Sequence, residues 1–351
     1  MSLPPSEIPQ GAIRFNTDSQ KLEFYAQGEW WNMVSDTPNL GVGADTTAGA
    51  RGVFGGGNVP GLTASQEYLN IASGGATQTF GDLTYSARRL SSSAFSDSTR
   101  GVIVGGFDGT NRLTNINKIT ISSTGSAASF GTLATGLSSQ AGFSNSTRGF
   151  ACGGTVNPGA FTADIIYFTI QSDGNGVDFG ADLTEARDSG SGAANSTRGL
   201  AAGGFNNTPA STTNKQEIDA ITIATLGTVQ DFGDLTETRR GSGVATSPIR
   251  AVFAGGYEGP GGVNTIEYVE FATLGNATNF GDCTKSGGNF SGASNTVRGI
   301  FAGGYVPGGP GGHTSVIESI NISTEGNAID FGDLSVQRAS HFGLSNAHGG
   351  L

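Results

Sequence analysis

The chain has 351 residues, with 18 Lys and Arg against 29 Asp and Glu, a formal net charge of −11. No basic cluster occurs, so the positive footprint of a nucleic-acid binder is missing and no nucleic-acid partner is expected. Glycine (59) and proline (11) are abundant, but the glycines recur at fixed intervals without a G-X-Y period, which points to turns and close packing. No run approaches 18 apolar residues, so no membrane span is expected. The start, Met1 to Glu7, has neither the basic nor the apolar region of a signal peptide.

Residues 1–40 read as a small β-meander. Gly11-Ala12-Ile13-Arg14-Phe15-Asn16 alternates apolar and polar residues, as a half-buried strand does. Thr17 to Gln20 is a turn, Lys21 to Tyr25 a second strand, Ala26-Gln27-Gly28 a second turn and Glu29 to Val34 a third strand. Three short strands are marginal as a free unit. Ile13, Phe15, Phe24, Trp30 and Trp31 are therefore expected to attach this segment to another surface. Ser35 to Ala50 is polar and reads as a linker.

From Arg51 onward the chain repeats itself. Gly doublets are read at Gly55-Gly56, Gly105-Gly106, Gly153-Gly154, Gly203-Gly204, Gly255-Gly256 and Gly303-Gly304, and Phe-Gly pairs begin at Phe80, Phe130, Phe179, Phe232, Phe280 and Phe331. A self-similar period of about 50 residues signals a repeat architecture. Each repeat reads as four strands. Strand A is dominated by small residues (Ser191-Gly192-Ala193-Ala194), as suits crowding around an axis. Strand B runs from the repeated arginine to the doublet (Arg298-Gly299-Ile300-Phe301-Ala302). Strand C is β-branched and aromatic (Ile165-Ile166-Tyr167-Phe168), and strand D leads into Phe-Gly. Residues 338–346 form a surplus strand A, while the first repeat has only a weak one. Joining the two closes the ring without an exposed edge.

The strand ending in Gly-Gly, the strand with a central tyrosine (Tyr68, Tyr167, Tyr268) and the arginine before the next unit (Arg240) resemble the kelch repeat, with Phe where strand D usually carries Trp. The resemblance implies an all-β fold: a six-bladed kelch-like β-propeller over residues 41–351, preceded by the meander. The words Gly11 to Tyr25 with Trp30 and Trp31, and the recurring Thr-Arg-Gly before the doublets, resemble tail-fibre and other virion structural proteins of tailed bacteriophages. That resemblance implies a virion location, other virion proteins as partners of residues 1–40, and a homo-oligomer, a trimer.

The interval from strand C to the Phe-Gly pair is constant, whereas the B–C loop and the D–A connection vary in length. Both variable segments emerge on one face, and insertions confined to one face often mark a binding surface. The expected ligand contacts are Asp108, Asn111, Arg112, Asn206, Asn207, Lys215, Tyr257 and His313, which mix amides, charges and rings as glycan sites do. The remaining residues suggest no catalysis. His313, His341 and His348 have no metal-ligand spacing, so neither metal nor cofactor is expected. Cys152 and Cys283 read as small buried residues. Asp82, Asp182, Asp234, Asp282 and Asp333 recur in five of the six repeats, which is structural periodicity. Asn-x-Ser/Thr triplets read as turn chemistry. Arg51, Arg100, Arg148, Arg198, Arg250 and Arg298 are expected to make one inter-blade contact six times. The sequence thus reads as a non-enzymatic virion protein whose head binds a host-surface glycan or another virion protein. Two rival readings stand beside it: a capsid decoration protein without a ligand, and a glycan-degrading propeller enzyme.

Overall fold

Each repeat folds into one four-stranded antiparallel sheet, in the order A-B-C-D. The computed structural model describes residues 8–16, 21–32, 50–59, 61–208, 211–259, 261–307 and 310–351. Sheet 1 joins Phe342–Ser345 to Arg51–Gly55, Ser65–Asn70 and Gln78–Asp82. Sheet 2 holds Ala94–Ser96, Arg100–Val104, Asn115–Thr120 and Ala128–Thr132, and sheet 3 holds Ala141–Ser144, Arg148–Cys152, Ile165–Thr169 and Val177–Asp178. Sheet 4 holds Ser191–Ala194, Arg198–Thr208, Ser211–Thr222 and Val229–Asp234. Sheet 5 holds Gly243–Thr246, Arg250–Glu258, Gly261–Glu270 and Thr278–Gly287, and sheet 6 holds Ser291–Ser294, Arg298–Ala302, Val316–Asn321 and Ile329–Asp333. Among the described residues there is no α-helix, and no helix is long and apolar enough to cross a membrane.

The sheets contact one another in a cycle. Each strand A lies against the strand A of the next sheet, and that of sheet 1 lies against that of sheet 2. Strand A is small because its neighbour's backbone leaves no room: a Cβ at Gly192 would collide with the carbonyl of Gly142, and one at Gly292 with that of Val244. The core lies between sheets. Val53, Tyr68, Phe80 and Leu83 of sheet 1 and its D–A connection pack on Ile103, Ile119 and Ile121 of repeat 2. Phe54 and Ile71 of repeat 1 pack likewise on Ile300 and Ile317 of sheet 6. Apolar residues on both faces of strands B and C follow from this sandwiching.

Polar groups repeat the cyclic order. The arginine that opens strand B reaches the end of the next repeat's strand C. Arg51 Nη1 donates to Ile121 O at 2.9 Å, Arg100 to Ile170 O at 3.0 Å and Arg148 to Ile223 O at 2.8 Å. Arg198 donates to Phe271 O, Arg250 to Ile322 O at 3.4 Å, and Arg298 returns to Ile71 O at 2.9 Å. The repeated arginines thus make one inter-sheet contact six times. Three further arginines, in the D–A connections, are buried against a carboxylate on strand C of the next repeat: Arg187–Asp219 at 2.9 Å, Arg239–Glu267 at 2.9 Å and Arg338–Glu67 at 2.6 Å. In the fourth repeat the buried partner is Arg239, while the adjacent Arg240 lies over the Phe205 ring.

The first repeat corrects one doublet. Gly55 is extended and pairs with Phe342, whereas the left-handed pair equivalent to Gly105-Gly106 is Gly56-Gly57, with φ of 64° and 93°. The Phe-Gly glycine has a separate cause. At Gly81, Gly281 and Gly332 a Cβ would collide with the C–D turn of the adjacent repeat, at Gly125, Gly326 and Gly75. Asn145 accepts from the backbone of Thr147 (2.9 Å) and Arg148 (2.8 Å), and Asn276 from Asp234 N at 3.0 Å, so these Asn-x-Thr triplets are turn and inter-sheet caps. Cys152 and Cys283 are free and buried.

Residues Ile13–Asn16, Lys21–Ala26 and Glu29–Asn32 form a separate three-stranded antiparallel sheet. Met33 and Val34 of the expected third strand, and nearly all of the linker, lie outside the described residues.

Candidate functional site

The D–A connections turn by one device. Arg89, Ser139, Ser189, Gly241, Asn289 and Ser340 occupy equivalent positions, and all have φ between 54° and 66°. Ser139 N donates to Arg89 O (3.1 Å), Ser189 N to Ser139 O (2.7 Å) and Gly241 N to Ser189 O (2.9 Å). Asn289 N donates to Gly241 O (2.7 Å), Ser340 N to Asn289 O (3.4 Å), and Leu90 N to Ser340 O (3.0 Å). The result is a collar of backbone hydrogen bonds running through all six repeats.

Above this collar opens a cleft of about 720 Å³ that every repeat helps to line. One wall is an arc of rings. Phe161 and Phe205 meet edge to face with centroids 6.0 Å apart, Tyr257 and Tyr305 lie 6.4 Å apart, and Tyr305 and His313 6.2 Å. The Arg240 guanidinium joins the two halves of the arc, 4.3 Å from the Phe205 centroid and 6.0 Å from that of Tyr257. Burial, then Tyr305, pushes the Tyr257 hydroxyl well above the usual phenol range, so it stays a neutral donor.

The other wall is cationic. Arg88, Arg89 and Arg112 converge on the ring of Phe107, with guanidinium carbons 5.5, 4.8 and 5.4 Å from its centroid. One acid faces them in the cleft, Asp188, whose carboxylate accepts from Thr155 Oγ1 at 2.8 Å. Burial raises the Asp188 pKa despite that bond. Burial, then Arg112, lowers the Arg89 pKa, Asp188 opposes this, and Arg88 lowers it further. Among the described residues, none of Arg88, Arg89, Arg112 or Arg240 forms an ion pair within 4 Å.

Three expected contacts, Arg112, Tyr257 and His313, line this cleft. Asp108, Asn111, Asn206, Asn207 and Lys215 are not among its lining residues. Asp108 closes its own loop, accepting from Thr110 N (2.8 Å) and Asn111 N (2.6 Å). Asn206 and Lys215 both bind Glu185, at 2.6 Å each, and so tie a D–A connection to a B–C hairpin. Arg88, Arg89, Asp188, Phe161, Phe205, Arg240 and Tyr305 were not anticipated. Two signals could have found several of them: the Arg88-Arg89 and Arg239-Arg240 pairs in the variable D–A segments, and the ring after the doublet at Phe205, Tyr257 and Tyr305.

The expected attachment residues divide between two faces. Ile13 and its cross-strand partner Phe24 share a face with Phe15. They stand 62%, 37% and 59% exposed, a contiguous apolar surface. Trp30 is on the opposite face, packed on Tyr25 at 5.3 Å and beneath Arg14 at 4.1 Å. The side chain of Trp31 lies outside the described residues. No group of three or more His, Cys, Asp and Glu side chains that could hold a metal ion occurs among the described residues. No protein-family model matches the chain, and no curated protein matches it.

Proposed function

We propose that the protein is a non-enzymatic bacteriophage virion component, a tail fibre or surface appendage. In this reading residues 41–351 are a six-bladed kelch-like propeller that binds a host-surface glycan, and residues 1–40 attach it to other virion proteins as part of a trimer. The propeller reading is supported by the cyclic contacts of the six sheets and by strand A of sheet 1 coming from Phe342–Ser345. The attachment reading is supported by the exposed apolar face of Ile13, Phe15 and Phe24.

The single observation that carries the binding reading is the loop-face cleft. Its volume falls within the ~300–1,000 Å³ of small-ligand sites. Its rings offer flat apolar faces to a sugar ring, and Arg112, Asn289 and Arg240 offer hydrogen bonds to hydroxyls. Such hydroxyls cost about 1–3 kcal/mol each if buried unpaired, so convergence from six repeats is what a productive site needs. The test is host-cell adsorption by particles carrying Tyr257→Ala/Tyr305→Ala. Adsorption should fall while thermal unfolding of the variant stays near that of the parent. Undiminished adsorption would remove the cleft from host binding.

A further inference from the structure

We propose that the glycan taken by this cleft is anionic, its acidic groups held by Arg88, Arg89 and Arg112 while its rings lie along the arc from Phe161 to Tyr305. The inference rests on the glycan reading above and adds the charge of the ligand and the orientation it takes.

Charge distribution carries the argument. The chain has a net charge of −11, yet the cleft gathers four arginines and one carboxylate. Elsewhere the protein treats arginine differently. Arg187, Arg239 and Arg338 each bind a carboxylate, and the six strand-B arginines bind backbone carbonyls. In the cleft three guanidiniums share one phenyl ring and no ion-pair partner; Arg112 Nη1 donates to Pro158 O at 3.2 Å, but the buried Nε atoms of Arg88 and Arg112 have no hydrogen-bond acceptor. Like charges so placed repel unless an anion joins them. Guanidinium forks bind carboxylate and sulfate oxygens in pairs, through hydrogen bonds roughly twice as strong as neutral ones.

Backbone cost points the same way. Arg89 holds a left-handed φ of 61° where the other repeats place Ser, Ser, Gly, Asn and Ser. A long side chain in that conformation is strained unless its surroundings enforce it, and nothing in the collar requires arginine. A nucleic acid fits less well: the chain as a whole carries a net charge of −11, against the extended positive footprint that a nucleic-acid backbone requires.

The test is affinity electrophoresis of the full chain through gels containing polygalacturonate, dextran sulfate or neutral dextran, with single-stranded DNA as a further probe. Retardation by polygalacturonate or dextran sulfate, weakening with salt and reduced about tenfold or more by Arg88→Gln/Arg112→Gln, supports the proposal. The stronger of the two arms says whether carboxylate or sulfate is the group recognised. Tyr257→Ala should weaken the same retardation, because ion exchange alone would ignore a neutral ring. Retardation by dextran that is indifferent to the arginines would overturn the anionic inference and leave the glycan reading standing. Retardation by DNA alone, or by no polysaccharide, would overturn both.

Discussion

His341 offers a test of how the sheets pack. It follows the left-handed Ser340 in the D–A connection that enters sheet 1, fully buried against Phe54, and neither ring nitrogen has a hydrogen-bond partner. Burial, then Arg338, holds its pKa well below the ordinary 6.5. The folded state therefore keeps the ring neutral while the unfolded chain takes up a proton below about pH 6.5. The sign follows: the unfolded state binds more protons, so stability is full above the unfolded pKa and is lost as pH falls toward the folded one. From pH 7.5 to 5.5 one such group removes about 1.4 kcal/mol. At about 2.1 cal/mol/K of unfolding entropy per residue, a domain of roughly 300 residues then melts about 2 °C lower. Of the five equivalent positions two are apolar, Leu90 and Phe290, the others being Gln140, Gly190 and Ser242, so His341→Leu and His341→Phe are the informative variants. Whatever each does to absolute stability, its melting temperature should fall about 2 °C less than the parent's over that interval. His348, whose pKa burial also lowers, contributes equally to parent and variants. Asp188 has the opposite shift, losing stability as pH rises through its raised pKa, and it too is common to all three. Identical pH dependence in parent and both variants would refute the account.

Breaking the buried Arg239–Glu267 pair with Arg239→Met should cost about 3–5 kcal/mol in urea unfolding, because it leaves a buried carboxylate without its counter-charge. Arg239→Met/Glu267→Leu should recover only part of it, because Thr236 N and Oγ1 and the Gly255 and Thr265 carbonyls then lose partners. Gly281→Ala should destabilise by about 1–3 kcal/mol more than Gly275→Ala, since a Cβ at 281 meets the Gly326 backbone and one at 275 meets open space. Arg89→Asn should raise stability by about 1 kcal/mol, because asparagine tolerates the left-handed conformation better, while weakening retardation by polygalacturonate. Loss of both stability and binding would mean that Arg89 serves the fold instead.

The six-fold repeat was legible because its causes are local and recur: a glycine wherever a neighbour's carbonyl leaves no Cβ space, and an arginine wherever strand C of the next repeat offers its terminal carbonyl. Pairing of the last strand with the first was legible for the same reason, since a surplus strand A has one vacant edge to fill. What was hidden is register. Three glycines in a row at Gly55-Gly56-Gly57 give no local sign of which two turn left-handed. Only the pairing of Gly55 with Phe342 decides it. Likewise Arg239 and Arg240 are adjacent and chemically identical. One points into the inter-sheet layer toward Glu267 and the other into the cleft beside Phe205.

The same ambiguity explains why the site was half seen. Loop length drew attention to the B–C tips, where Asp108 and Asn207 sit far enough along their hairpins to miss the cleft lining. The side chains that converge are those nearest the collar: the residue at or beside the left-handed turn, and the ring directly after the doublet. Proximity to the axis, more than loop length, decides which groups from six separated loops can touch one ligand. At the collar the turn needs a residue that accepts positive φ and nothing more, so serine, asparagine and glycine satisfy it in five repeats. An arginine there, set beside Arg88 and facing Arg112, departs from what the turn selects. It is that departure, not the repeat itself, that marks where the six copies cease to be equivalent and where a ligand would make them differ.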